Sequence, residues 1–262
     1  MIDRGALSPV DLTQACLDRI EKLDGKVNAV LRTMPERALA AARAAEAEIH
    51  AGRRRGPLHG VPYGLKDIID IAGEPTTAHS KVLAQQPPVT TNAAVTDRLE
   101  AAGGVCVAKL STWEFAVGGP SFDLPWPPAR NPWDLERTPG GSSSGSGAGL
   151  AARFFPAALG TDTGGSVRNP AASCGVVGLK PTYGRVPLRG VLPLSTSLDH
   201  VGPMTRTVAD NAILFQAIAG PDPEDPTTFD APVPDVMATL GEGVAGLKIG
   251  VIRHFWERDG QA

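Results

Sequence analysis

The chain has 262 residues, of which 42% are hydrophobic and 20% are charged, and its formal net charge is −3. This composition fits a soluble globular protein that can bury one good-sized core. Scattered basic residues argue against a nucleic-acid surface, and no stretch has the length and apolarity of a membrane span or a secretory signal. The cysteines Cys16, Cys106 and Cys174 lack metal-ligand spacing, which predicts reduced thiols in a cytoplasmic protein.

Four helices are predicted from capping residues and apolar periodicity. The first begins after Ser8, with Pro9 at its first position, and the second begins at a capping box on Thr33 and ends at Gly52. A third covers residues 93–102, and a fourth begins at a capping box on Thr207 and extends to Gly220.

Short apolar strands alternate with these helices, which predicts an α/β fold with helices on both faces of the sheet. The predicted strands cover residues 105–110, 157–161, 176–179 and 247–252. Because the last of these strands comes so late in the sequence, we expect the chain to be the front part of a longer protein.

Two glycine turns rich in serine occupy residues 140–147 and 160–166. In the second turn, glycines permit the positive φ values that aim several backbone N–H groups at one point, and Ser166 stands at its exit. A nucleophile whose own loop supplies oxyanion donors suits acyl transfer. The alternative is a turn that binds an anion or has only a structural role.

The first turn matches the nucleophile-elbow pattern G-x-S-x-G, with Ser143 at its centre. That elbow must follow a buried strand, yet residues 131–139 contain two prolines and three charges. It also needs a later histidine, and only His200 and His254 qualify. The elbow is therefore the less favoured interpretation, and no Gly-Lys-Ser/Thr is present to form a phosphate loop.

Lys66 lies in an apolar run, between Leu65 and Ile68. A solvated lysine at a strand edge is the ordinary interpretation. If Lys66 is buried instead, its pKa falls from about 10.4 toward neutrality, and the neutral amine can act as a general base.

The segments 139–146, 159–172 and 175–185 closely resemble the amidase signature family. The resemblance covers nearly the whole chain. It implies a mixed, largely parallel central sheet covered by helices on both faces. It also implies that residues 1–262 form a single amidase signature domain, the N-terminal part of a longer one.

By this resemblance Lys66 is the base, Ser142 the bridging serine held by a cis peptide, and Ser166 the nucleophile. The oxyanion hole falls on Thr163, Gly164, Gly165 and Ser166. The chain departs from the common family pattern at Ser144, Gly147, Gly149 and Arg153.

Other residues are assigned supporting roles. We expect Ser143 to form hydrogen bonds within the site, and Arg168 either to orient a substrate carboxylate or to pair with Asp162. The aromatic residues Phe115, Phe122 and Trp126 could line an apolar substrate pocket, with ordinary packing as the alternative. No cofactor or metal is implied.

The leading functional hypothesis is an amidohydrolase that cleaves small or aryl amides, and also esters or carbamates, through an acyl-enzyme. A second hypothesis is an amidotransferase component that releases ammonia from glutamine or asparagine. A third is a non-catalytic fragment or assembly protein. The expected partner is a small-molecule substrate, without nucleic acid or membrane, for a monomer or a homodimer.

Overall fold

A computed structural model describes residues 1–251 of the chain. The helices are α1 (Pro9–Val27), α2 (Pro35–His50), α3 (Ala94–Ala101), α4 (Ser144–Ala151), α5 (Arg168–Cys174), α6 (Val208–Ile218) and α7 (Val236–Thr239). The strands are β1 (Val30–Thr33), β2 (Pro62–Lys66), β3 (Val105–Leu110), β4 (Ala157–Asp162), β5 (Val177–Gly178) and β6 (His200–Thr205). Short 3-10 turns cover Ile2–Arg4 and Glu114–Ala116.

The six strands form one mixed sheet in the order β1-β3-β2-β4-β6-β5. The central strands β3, β2 and β4 are parallel, and the pairs β1–β3, β4–β6 and β5–β6 are antiparallel. The predicted fold class is confirmed. Because the three central strands are parallel, their carboxyl ends meet at one edge, where ligands usually bind in α/β sheets.

Two layers of apolar side chains cover the sheet. One contains Ile20 of α1, Leu150 of α4 and Ala158 of β4, and the other contains Leu99 of α3, Leu214 of α6 and Leu159 of β4. Neighbouring residues of β4 thus enter opposite layers, as the alternation of side chains along a strand requires.

Capping residues were predicted correctly for two helices and wrongly for one. The Ser8 hydroxyl accepts the N–H groups of Val10 and Asp11, and the Thr207 hydroxyl accepts that of Asp210. Thr33, by contrast, is the last residue of β1, and α2 begins at Pro35 without a side-chain cap. Pairing with β3 keeps Thr33 extended.

The glycine-rich segment that we predicted to be a turn forms the buried helix α4. Its glycines lower helix propensity, but they let the helix approach its neighbours closely. A Cβ on Gly145 would lie 2.3 Å from the Ala29 carbonyl oxygen, and one on Gly149 would lie 2.4 Å from the Phe155 ring. Packing against the sheet therefore overrides local propensity here.

The strand predicted at 247–252 is not present over residues 247–251, and Ile252 lies outside the described residues. Leu247, Ile249 and Val251 are exposed, and no described strand pairs with them. A strand needs such a partner for its hydrogen bonds.

Across residues 1–251, no helix has the length and apolarity needed to cross a membrane. The three cysteines are buried and free. Burial raises the pKa of Cys16 to about 11 and that of Cys106 to about 12. Their thiols are therefore uncharged and poor nucleophiles at neutral pH.

Candidate active site

Lys66 is fully buried at the carboxyl end of β2. Its Nζ lies 2.7 Å from Ser142 Oγ and 2.7 Å from Thr161 Oγ1. Burial lowers the pKa of Lys66 to about 7, while the charges of Asp162 and Asp199 oppose that fall. A large fraction of the amine is therefore unprotonated at neutral pH and can accept a proton.

The loop before α4 places Ser142 against this amine. The Gly141–Ser142 peptide bond is cis. The Gly141 N–H donates to Asn169 Oδ1 at 3.0 Å, and the Trp113 N–H donates to the Ser142 carbonyl at 3.2 Å. A Cβ on Gly141 would lie 2.2 Å from the Trp113 indole, so only glycine fits beneath that ring.

Ser143 joins the two glycine turns. Its hydroxyl accepts the Thr161 N–H at 3.1 Å and donates to the Thr161 carbonyl at 3.2 Å, and its own N–H donates to the Ser166 carbonyl at 3.1 Å. Gly160 leaves room for this contact, because a Cβ there would lie 2.6 Å from Ser143 Oγ. The Ser143 hydroxyl is thus occupied by backbone groups.

The nucleophile-elbow alternative fails on geometry. No strand precedes Ser143, which stands before the first residue of α4. The ring of His200 lies near the Leu198 and Asp162 carbonyls, at 2.7 and 3.1 Å from Nδ1, and makes no contact with Ser143. His254, the other histidine considered, lies outside the described residues.

Asp162 organises the second turn. Its buried carboxylate accepts the Gly165 N–H at 2.8 Å and the Val167 N–H at 3.1 Å, and it receives Arg168 in a bidentate pair at 2.8 and 3.0 Å. Although burial opposes ionisation, the bonds from Arg168 and from these N–H groups hold the pKa of Asp162 at about 2. The guanidinium of Arg168 therefore steadies the turn.

One of the four expected oxyanion donors is occupied, because the Gly165 N–H is taken by Asp162. The N–H groups of Thr163, Gly164 and Ser166 make no hydrogen bond to any residue in the described range. These three remain available to a ligand.

Ser166 is half-buried at the exit of this turn. Within residues 1–251 its hydroxyl makes no hydrogen bond, either to Ser142 or to another group. The two serines are instead brought together through the Ser143 N–H bond to the Ser166 carbonyl. Catalytic hydrogen bonds often shorten only when substrate binds.

Sequence reasoning missed two contacts of the site. Thr161 receives Lys66 Nζ, although the sequence indicates only the end of a strand there. Asp199 accepts the Thr163 hydroxyl at 2.5 Å, although it is 36 residues away in sequence. A polar residue directly after an apolar strand was the available signal for Thr161, whereas Asp199 carried none that points to Thr163.

The three aromatic residues proposed for substrate binding are dispersed. Phe122 is 83% exposed and lines a groove among prolines and Leu135 that includes no member of the predicted triad. Trp126 packs edge-on against His79, with ring centroids 5.7 Å apart. The Phe115 N–H donates to the Ala78 carbonyl. Trp113, rather than these residues, touches the Ser142 loop.

The described part of the chain holds no group of three His, Cys, Asp or Glu side chains that could bind a metal ion. The groups that the site itself presents are its hydroxyls, its amine and its backbone N–H groups.

Comparison with known proteins gives a consistent result. The family model described as Amidase matches residues 11–262. The glutamyl-tRNA(Gln) amidotransferase component of the GatA type from Anaeromyxobacter sp. (strain K) is 51% identical over 251 residues, which are 95% of this chain and 51% of that protein. The chain spans about half the length of the curated relatives it matches.

Solved structures agree in fold. A chain from a vestigial protein complex related to the origins of an s-triazine catabolic enzyme aligns with TM-score 0.91 and 41% identity, over 94% of this chain and 54% of that one. The peptide amidase of Stenotrophomonas maltophilia aligns with TM-score 0.82 and 42% identity, over 88% of this chain and 48% of that one.

Proposed function

This chain belongs to the amidase signature family, and on that premise we propose that it hydrolyses an amide C–N bond with Ser166 as nucleophile. The observation that carries the proposal is the buried Lys66 amine, 2.7 Å from Ser142 Oγ. A lysine without water around it can serve as a base at neutral pH, which an exposed lysine cannot.

The proton path follows from these positions. Neutral Lys66 takes a proton from Ser142, Ser142 takes one from Ser166, and the Ser166 oxygen attacks the substrate carbonyl. The relay then returns a proton to the leaving nitrogen, and water cleaves the acyl-enzyme. Closure of the Ser142–Ser166 link on substrate binding completes the path.

The developing oxyanion is held by the N–H groups of Thr163, Gly164 and Ser166, which the turn leaves unoccupied. The pairing of Asp162 with Arg168 and Gly165 fixes that turn before substrate arrives. Loss of one such donor typically costs on the order of 100- to 1000-fold in rate.

We assign small or aryl amides as the substrate class, with esters and carbamates as further substrates, because an acyl-enzyme accepts varied leaving groups. The similarity to a peptide amidase supports an amide substrate.

A second candidate is the amide-hydrolysing component of an amidotransferase, which would release ammonia for a partner. The observation that favours it is the 51% identity to a relative named as a component of such an enzyme. In both functions the Lys66–Ser142–Ser166 relay performs the same chemistry, so the two differ only in substrate and in dependence on a partner.

The test compares the full-length protein with three variants, Lys66→Met, Ser142→Ala and Ser166→Ala. The exposed Ser173 provides a matched control as Ser173→Ala. We expect the wild type and Ser173→Ala to release product from an anilide panel without ATP. The three variants should lose at least about 100-fold in kcat while retaining their circular dichroism spectra.

Hydrolysis of glutamine or asparagine only when partner proteins and ATP are present would support the second candidate. If Ser166 is not labelled by a fluorophosphonate in either setting, the protein is non-catalytic and both proposals fail.

A further inference from the structure

Asp199 is a buried carboxylate directly before β6, and it joins two loops at the site. Its Oδ1 accepts the Thr163 hydroxyl at 2.5 Å. Its Oδ2 accepts the N–H groups of Leu194 and Ser195, at 2.8 and 2.9 Å. The side chain is only 7% exposed. The loop at 194–199 is therefore tied to the first residue of the oxyanion turn.

The charge of Asp199 has no direct counter-ion. All three of its hydrogen bonds come from uncharged donors, and no cation in the described part of the chain lies within ion-pair distance of it. Asp162, the other carboxylate near Lys66, is different because Arg168 pairs with it at 2.8 Å. A buried charge without a cation is expensive, so it is rarely kept without a purpose.

We propose that Asp199 is a positioning residue for the amide hydrolysis proposed above: through Thr163 it fixes the oxyanion turn, and through its uncompensated charge it sets the protonation of Lys66. This inference rests on the proposed function and extends it. The two roles act on different groups, so conservative variants can separate them.

The positioning role follows from the turn geometry. Thr163 is the first residue after β4, and its free N–H is one of the three oxyanion donors. Asp162 anchors the turn at Gly165 and Val167, whereas Asp199 anchors it at Thr163. Without the Thr163 bond, the first donor is held from one side only. Misplacement of a donor by about 1 Å can cost on the order of 100-fold in rate.

The electrostatic role follows from the sign of the charge. A negative charge near an amine favours its ammonium form, and Asp199 acts on Lys66 in this direction, against the effect of burial. Other charged or titratable groups near the site occur in pairs: Asp67 with Lys109, Asp162 with Arg168, and His200 with Lys180. Asp199 is thus the acidic group whose charge is balanced by no partner of its own.

The test uses two near-isosteric variants of the full-length protein. Asp199→Asn keeps the shape: the amide oxygen can accept the two backbone N–H groups, and the amide N–H can donate to Thr163, but the charge is gone. Thr163→Val keeps the charge and removes the hydroxyl. Thr196→Val, in an exposed threonine of the neighbouring loop, is the matched control. The readouts are the pH profile of kcat/KM and the rate at which a fluorophosphonate labels Ser166 across the same pH range.

Asp199→Asn should move the acid limb of both profiles to lower pH by on the order of 0.5–1 unit, with the plateau reduced less than about tenfold. Thr163→Val should lower the plateau by on the order of 10- to 100-fold and leave the acid limb in place. Thr196→Val should match the wild type.

An unmoved acid limb in Asp199→Asn, or one moved to higher pH, overturns the electrostatic role. A wild-type plateau in Thr163→Val overturns the positioning role. These outcomes, with a wild type that is labelled, leave the proposed function standing, whereas a wild type that is never labelled overturns that function and the inference together.

Discussion

Replacement of Lys66 by methionine should abolish turnover and yet stabilise the fold at neutral and mildly acidic pH. The amine is fully buried, and burial lowers its pKa from 10.5 to about 7. In the unfolded chain the same group is solvated and titrates near its ordinary value. Between these two values the unfolded state therefore binds a proton that the folded state does not.

The sign and size follow from this difference. Each pKa unit is worth about 1.4 kcal/mol, so a protonated Lys66 costs the folded state about 5 kcal/mol below pH 7. Two lost hydrogen bonds, to Ser142 and Thr161, offset part of the gain at about 1 kcal/mol each. Lys66→Met should therefore be more stable than the wild type by about 3 kcal/mol at pH 6.

The pH dependence is the sharper test, because the lost hydrogen bonds contribute equally at every pH. As pH rises from 6 to 9, the wild type should gain about 3 kcal/mol relative to Lys66→Met. The assay is urea unfolding of both proteins at several pH values in this range. The exposed Lys22 gives a control variant, Lys22→Met, whose difference from wild type should not depend on pH. A stability difference between Lys66→Met and wild type that stays constant from pH 6 to 9 would refute a neutral buried amine.

Three further outcomes are expected. Since the neutral amine is the active form and its pKa is about 7, kcat/KM should be about tenfold lower at pH 6 than at pH 8, and a flat profile would contradict the assigned base. Arg153 follows the end of α4 at φ 61°, a left-handed position that favours glycine, so Arg153→Gly should raise the unfolding free energy by up to about 1 kcal/mol. The reverse change at a similar helix end, Gly175→Ala (φ 65°), should lower it by about 1 kcal/mol, and urea unfolding of both measures the pair. Gly160→Ala should reduce kcat severely while the circular dichroism spectrum is retained, because its Cβ would meet Ser143 Oγ at 2.6 Å; wild-type kcat would show that Ser143 is not needed where it lies.

Local signals predicted most of the helices. The Ser8 and Thr207 caps and the glycine after α2 act over a few residues, so the sequence contains the whole cause. Gly52 illustrates this, because its φ of 74° lets the Arg53 N–H reach the Glu48 carbonyl at 2.9 Å. The same kind of signal was wrong at Thr33, where pairing with a distant strand fixes the backbone instead.

The α4 segment shows why propensity failed elsewhere. Glycines and serines favour a turn locally, and nothing within residues 144–151 reports the close approach of Ala29 and Phe155. The departures at Gly147 and Gly149 have the same basis, since a Cβ on Gly147 would lie 3.0 Å from the Pro170 carbonyl oxygen.

The residues alone identified a reactive serine turn and a lysine in apolar company, because both are short patterns whose chemistry is carried by adjacent side chains. Resemblance to a family added Ser142. Only the tertiary structure decided that Lys66 is fully enclosed and that its amine reaches Ser142 and Thr161, which lie 76 and 95 residues further along the chain. Burial and long-range contacts of this kind depend on how strands order themselves in a sheet, and that order is a property of the whole packed core rather than of any segment.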